Sequence, residues 1–268
     1  WQRQRQRGRG GDYPWLITDL RAAMFSPPFT TADHCLAALR ESGFAVLDAA
    51  AVRALTGASA DSLKTLAHAW DDLAPDEYLK DGGRYRRRRH ASFIAQGGEL
   101  HDVPHRPHWQ PLAYNALHGG MQRWFAPVDA ATRARGDWRA LLAWLAQVAD
   151  GLQGTQPWYG EAHAFRIDTE GGIGRPTPEG AHRDGVDLVA VFLVTRAGIK
   201  GGETRVFEID GPRGQRFTLD EPWAVLLLDD HKVIHETTPV QPLAADAPGH
   251  RDTLVITLRA QGFLAPAT

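Results

Sequence analysis

From residue 161 to residue 259 the chain is a succession of short apolar segments cut by glycine and proline, and this pattern limits the fold more than any other feature. Strand-like stretches occupy residues 161–168, 187–196, 204–209, 215–219, 223–228 and 253–259. Gly171-Gly172, Gly201-Gly202, Gly211-Pro212 and Glu221-Pro222 supply the breaks. Short strands of this kind bury their apolar faces by packing into a barrel or a double sheet.

Before residue 160 the apolar period is helical. Thr30 or Thr31 can cap a helix that runs to about Arg40 and ends at Gly43, ahead of the apolar run Phe44-Ala45-Val46-Leu47. A second helical stretch covers about 50–70, with leucines at 55, 63 and 66. In a third, capped by Asp137, the residues Trp138, Leu141, Leu142, Leu145 and Val148 follow the i, i+3, i+4, i+7 stripe. Helices first and strands afterwards predict an α+β chain, its helices on one side of a sheet. The length of 268 residues suits one domain over 12–268. Ahead of it, residues 1–11 alternate arginine and glutamine and then run into glycine, a composition expected to form a flexible tail.

Composition removes several function classes. No stretch approaches the roughly 18 apolar residues of a membrane span, and the Arg-rich start lacks the apolar core of a secretory signal. Cys35 is the only cysteine, which excludes an internal disulfide and a multi-cysteine zinc site and fits a reducing, cytoplasmic setting. The formal charge is -2, yet four arginines fall within residues 1–10 and five within 84–89, so the body is acidic with two basic islands. An acidic body without a recognition motif argues against nucleic acid as a partner.

The chemistry concentrates around Ala181-His182-Arg183-Asp184-Gly185. In an extended chain alternate side chains share a face, so His182 and Asp184 project together and Arg183 projects away. A third ligand is available 53 residues on, where His235 follows an apolar strand and the turn Asp229-Asp230-His231-Lys232. Two histidines and one carboxylate on one face leave open positions on a metal, the arrangement typical of iron(II) oxygenases. By spacing alone, His231 competes with His235 for the third place. Arg251 opens the last apolar strand with Thr253 on its face, a guanidinium and hydroxyl pair suited to a carboxylate; a surface ion pair would explain Arg251 equally well.

These residues resemble the 2-oxoglutarate/iron(II) dioxygenases, in particular the bacterial branch that contains the free L-isoleucine hydroxylases. The resemblance rests on ordered blocks: Arg84-Tyr85-Arg86-Arg87-Arg88-Arg89-His90, Tyr114-Asn115-Ala116-Leu117-His118-Gly119-Gly120, the 181–185 segment, Gly201-Gly202-Glu203-Thr204, His231-Lys232-Val233-Ile234-His235-Glu236-Thr237-Thr238-Pro239-Val240, and Arg251-Asp252-Thr253-Leu254-Val255. It implies a double-stranded β-helix, or jelly roll, in which His182, Asp184 and His235 hold Fe(II). It implies also that 2-oxoglutarate chelates the iron and extends its far carboxylate to Arg251 and Thr253, with Arg259 as the fallback. With O2 as the third reactant, the implied reaction hydroxylates an aliphatic C–H bond of a small amino acid, free or carrier-linked, and releases succinate and CO2. Desaturation, epoxidation or cyclisation would use the same cofactors. A carboxylate at position 184 argues against the halogenating relatives. A non-catalytic metal-binding β-barrel is the reading from another class, and the Arg251/Thr253 clamp weighs against it.

Substrate residues are read from the second island. If 84–93 is a strand, Tyr85, Arg87, Arg89, Ala91 and Phe93 share its more apolar face, and that face is expected to turn inward. Arg87 or Arg89 would then reach a substrate carboxylate; a solvated edge strand is the plainer alternative. Tyr114 and Asn115 are candidates because their block lines the site in the resembled family, and Arg166 because its strand leads toward the metal loop.

Overall fold

The computed structural model describes residues 26–266, so the expected tail at 1–11 lies outside the described residues. Its strands are β1 (Phe44–Leu47), β2 (Arg86–Gln96), β3 (Glu99–Asp102), β4 (Trp158–Asp168), β5 (Leu188–Ala197), β6 (Ile199–Gly201), β7 (Thr204–Glu208), β8 (Gly214–Phe217), β9 (Val225–Asp229), β10 (Val233–Thr237), β11 (Val240–Pro242) and β12 (His250–Arg259). Seven of them form one antiparallel sheet in the order β1-β9-β5-β12-β4-β2-β3. The shorter sheets β10-β7-β8 and β11-β6 complete a jelly roll.

Side-chain alternation in the large sheet explains the layering. On β5 the residues Leu188, Ala190, Phe192 and Val194 join a core with helices, whereas Val189 and Leu193 pack with Val206, Phe217 and Val233 of the smaller sheet. Both faces of β5 are therefore apolar, which is why its sequence reads as an unbroken hydrophobic run. The helices covering the outer face are α1 (Cys35–Ser42), α2 (Ala49–Thr56), α3 (Ala60–Leu66), α4 (Ala130–Arg133) and α5 (Gly136–Gln153). From them Leu39, Val52, Leu63, Leu141 and Leu145 join Leu254, Ile256 and Leu258 of β12. Each such leucine stabilises the fold by about 1.5–3 kcal/mol on burial. No helix among the described residues is long and apolar enough to cross a membrane.

Local chemistry moved several helix boundaries. The stretch expected over 50–70 is broken, because Gly57 ends α2 in a left-handed conformation and Ser59 caps α3 by accepting from Ser62 N at 3.1 Å. Gly43 ends α1 as expected, but Thr31 precedes a 3-10 turn (Ala32–His34) and makes no side-chain cap. Asp137 sits inside α5 rather than at its cap, held by Arg135 at 2.6 Å.

Candidate active site

In the middle of β10, His235 forms a two-bond backbone bridge to His182, each N–H donating to the other residue's carbonyl at 3.0 Å. The bridge sets the two imidazoles side by side, centroids 4.7 Å apart. Asp184 Oδ1 lies 3.8 Å from His182 Nε2, and its Oδ2 lies 3.9 Å from His235 Nε2. One ligand atom from each residue thus falls within 4.8 Å of the others. His182 Nδ1 donates to Gly180 O at 2.9 Å, which leaves Nε2 as the lone-pair nitrogen facing Asp184. Burial opposes protonation of His182, but the carboxylates of Asp184 and Glu179 outweigh it and raise its pKa. Burial and the neighbouring His182 push His235 down to about 4, so its imidazole is neutral. Neutral imidazole, polarised imidazole and carboxylate form a donor set that fits a divalent transition metal.

Two buried side chains hold this constellation in place. The Asp230 carboxylate accepts from three consecutive backbone N–H groups, those of Asp184 (3.0 Å), Gly185 (2.8 Å) and Val186 (3.1 Å). Burial, reinforced by Asp184, pushes the Asp230 pKa up to about 7. Gln110 Nε2 donates to Asp184 Oδ1 at 3.2 Å while its Oε1 accepts from Arg123 Nη2 at 2.9 Å and Asn115 Nδ2 at 3.3 Å. The loop between His182 and β5 turns at Gly185, whose φ is 78°, and the ring of Tyr114 fills the space a side chain there would need.

The triad opens into a cavity of about 130 Å³ whose lining includes Arg251, Thr253, Val255 and Val191. Arg251 is 4% exposed and has no ion pair or side-chain hydrogen bond among the described residues; its Nε is buried without a partner. Burial and the nearby Arg196 lower its pKa to about 10, which leaves it charged at neutral pH. An uncompensated buried guanidinium is costly. Beside a two-histidine, one-carboxylate triad, it fits a dianion that chelates the metal at one end and meets arginine at the other. Arg259 is excluded from that role, because it donates to the carbonyls of Gln261 and Gly262 at the far end of β12. His231 is equally remote: its exposed ring pairs with Asp187 at 2.8 Å.

The substrate-side expectation for β2 needs correction. Arg86 and Arg88 line the cavity, while Arg87 and Arg89 lie on the opposite face, Arg87 near Asp168 and Arg89 between Asp72 and Asp129. The apolar face of this strand does turn inward, with Ala91, Phe93 and Ala95 in the helix-covered core. The cavity, however, lies on the sheet's other side. Arg166 also faces away, its guanidinium making a bidentate pair with Asp252 at 2.8 and 2.7 Å. Asn115 lines the cavity; Tyr114 instead packs on Gly185 and does not.

Residues that the sequence did not single out for the site complete the wall. The Arg88 guanidinium lies between the rings of Phe125 (3.6 Å) and Phe165 (4.3 Å), and Arg88 Nη2 donates to His163 Nδ1 at 2.7 Å. Glu161 is shared by His108 (2.8 Å), His90 (3.2 Å) and Arg106 (3.2 Å). These three histidines and Glu161 also converge as a cation site would. Two guanidiniums donate into the same cluster, which makes it a hydrogen-bonded wall and a poor place for a cation. Arg86 and Arg88 were legible as the alternate face of β2, whereas Gln110 and Arg123 stand in irregular chain with no period to mark them.

Comparison with known proteins assigns the chemistry. The family model for 2OG-Fe dioxygenase matches residues 67–257. The chain belongs to the 2OG-Fe dioxygenase family. The cofactors are accordingly Fe(II), 2-oxoglutarate and O2, and the matched segment contains the triad, Arg251 and the β2 wall. Among solved structures, this 2OG-Fe dioxygenase is similar to a bsmA homolog from Methylobium petroleophilum PM1, with 53% identity, TM-score 0.85 and coverage of 90% of this chain and 98% of that one. It shares its fold with IDO from Bacillus thuringiensis (16% identity, TM-score 0.70, 86% and 100% covered). The same holds for the Fe(II)/(alpha)ketoglutarate-dependent dioxygenase TqaL (19% identity, TM-score 0.66, 85% and 86% covered). No curated protein matches the chain.

Proposed function

We propose that this dioxygenase hydroxylates an aliphatic C–H bond of a small amino acid, releasing succinate and CO2. In this reading His182, Asp184 and His235 hold the iron, and Arg251 with Thr253 receives the far carboxylate of 2-oxoglutarate. Bound together with O2, iron and 2-oxoglutarate supply the oxidant that takes hydrogen from a substrate carbon. All other requirements fall on the chain's own side chains.

The observation that carries the reading is the second cationic end of the cavity. Once Arg251 is committed to the cosubstrate, Arg86, Arg88 and Arg123 remain, each buried and each with a guanidinium nitrogen that has no hydrogen-bond partner among the described residues. Asp76 pairs with Arg86 at 2.7 Å and stands 3.7 Å from Arg88, so among the described residues Arg123 is the one without a paired carboxylate. A guanidinium fork with unused N–H groups recognises a carboxylate by paired charge-assisted bonds. A free carboxylate on the substrate therefore suits the site better than a carrier-linked ester. Arg123 also reaches Asp184 through the single side chain of Gln110, so an anion seated there is held at a fixed place relative to the metal ligands. Phe165, Ile167, Val191 and Val255 supply the apolar lining that excludes water from an alkyl chain.

The test is a mass-spectrometric screen of amino acids with iron(II), ascorbate and 2-oxoglutarate. The expected result is gain of one oxygen on one or a few members, with matching succinate. Succinate release that no amino acid stimulates would overturn the reading.

A further inference from the structure

Glu179 is a carboxylate that the metal and cosubstrate assignments leave unused. It stands at the cavity wall, its side chain 12% exposed, with Oε1 3.7 Å from His182 Nε2 and Oε2 buried without a hydrogen-bond partner among the described residues. Its turn is clipped to the strand that carries His235: Thr177 Oγ1 donates to Thr237 O and accepts from Thr237 N, both at 3.0 Å. Gly180 follows with φ 81° and closes the turn onto Thr177 O. The carboxylate is thus presented by a fixed frame.

We infer that Glu179 is a specificity residue that receives the protonated amino group of the substrate. The inference rests on the amino-acid reading above and deepens it. Oε1 meets His182 Nε2, the nitrogen assigned to the metal, but a buried carboxylate oxygen left without a donor is expensive. No ion pair with arginine or lysine relieves it among the described residues; Arg123 senses its charge without contacting it. Iron at the triad would offset charge beside Oε1 but cannot donate a hydrogen bond to Oε2, so the missing donor must arrive with a ligand. Neither 2-oxoglutarate nor O2 is such a donor. An α-amino acid carries ammonium and carboxylate on one carbon, and the cavity offers Glu179 for the first and Arg88 with Arg123 for the second. The competing role, a fourth metal ligand, is disfavoured because the mutually close ligand atoms are those of His182, Asp184 and His235 without Glu179.

Glu179→Gln keeps the shape and removes the charge. The probe is the set of twenty proteinogenic L-amino acids, each beside its α-hydroxy acid and N-acetyl counterparts, bound anaerobically by calorimetry to the iron(II)/2-oxoglutarate enzyme and then assayed for succinate. The expected outcome is weaker binding and a higher KM for the stimulating amino acid, by about ten- to hundredfold. Iron content and the affinity for 2-oxoglutarate stay at the unsubstituted level. The unsubstituted enzyme should reject the hydroxy and N-acetyl forms by a similar factor, and the variant should lose that discrimination. Unchanged amino-acid affinity in E179Q overturns the inference, as does loss of iron with unchanged amino-acid affinity, which would make Glu179 a ligand. If the unsubstituted enzyme itself binds no L-amino acid, the underlying reading fails first, and that result is distinct from either.

Discussion

Lowering the pH from about 7.5 to about 5.5 is expected to cost this fold about 1.4 kcal/mol through His108 alone. In an unfolded chain His108 titrates near 6.5; in the fold it is pushed down to about 4, first by burial and then by Arg123 and Arg88, with Glu161 opposing. A depressed folded pKa means that the stabilisation is complete above the unfolded value and is lost as pH falls toward the folded one. Across that interval the unfolded chain takes up a proton that the native wall refuses, a tenfold shift in the equilibrium. His163, lowered by burial and Arg88, adds in the same direction. Urea unfolding of the metal-free protein at the two pH values, with equal m-values, measures the total. His108→Gln should reduce the pH dependence by about 1.4 kcal/mol. The opposite contribution of His182, whose pKa is raised, is common to both proteins and cancels in the difference. If H108Q retains the full pH dependence of the unsubstituted protein, the wall does not hold His108 neutral and the reasoning fails.

Asp230→Asn removes the charge that accepts from three backbone N–H groups of the metal loop, and metal affinity should fall about 10–100-fold; cobalt(II) titration within twofold of the unsubstituted protein would contradict the anchoring role. Arg251→Gln should weaken anaerobic 2-oxoglutarate binding by about 1.5–3 kcal/mol, read by calorimetry, with iron content unchanged. An unaltered Kd would remove Arg251 from the cosubstrate site.

The convergence of His182 and Asp184 was legible because residues two apart in extended chain share a side, although in the structure this short segment is irregular chain held at His182 by its bridge to His235. Spacing left His231 and His235 as rivals; the structure separates them, since residue 235 lies on β10 and residue 231 on the exposed turn before it. The same period gave the wrong side for Arg87 and Arg89. Apolar alternation marks the face buried against helices, and here the cavity occupies the reverse face, so the polar set Arg86, Arg88 and His90 was the one to follow. Arg166 was chosen because its strand leads toward the metal loop, but its neighbours Phe165 and Ile167 are the residues that face the cavity there. Asp230, Gln110 and Arg123 act across long sequence separations from turns and irregular segments, where no local pattern reveals a partner. Gly57 could have divided the second helix, since glycine in a left-handed conformation is a common helix terminator.

The layering of β12 has a consequence for altering this enzyme. Arg251, Thr253, Val255 and Thr257 face the cavity, while Leu254, Ile256 and Leu258 are locked into the helix-covered core. In the proposed reading Arg251 and Thr253 serve the cosubstrate, which leaves Val255 and Thr257 as the β12 positions that can be varied to reshape what the cavity accepts without touching the helix-covered core. Directed libraries at these two positions and at Phe165 of β4 explore new substrates from a scaffold whose helix-covered core stays intact.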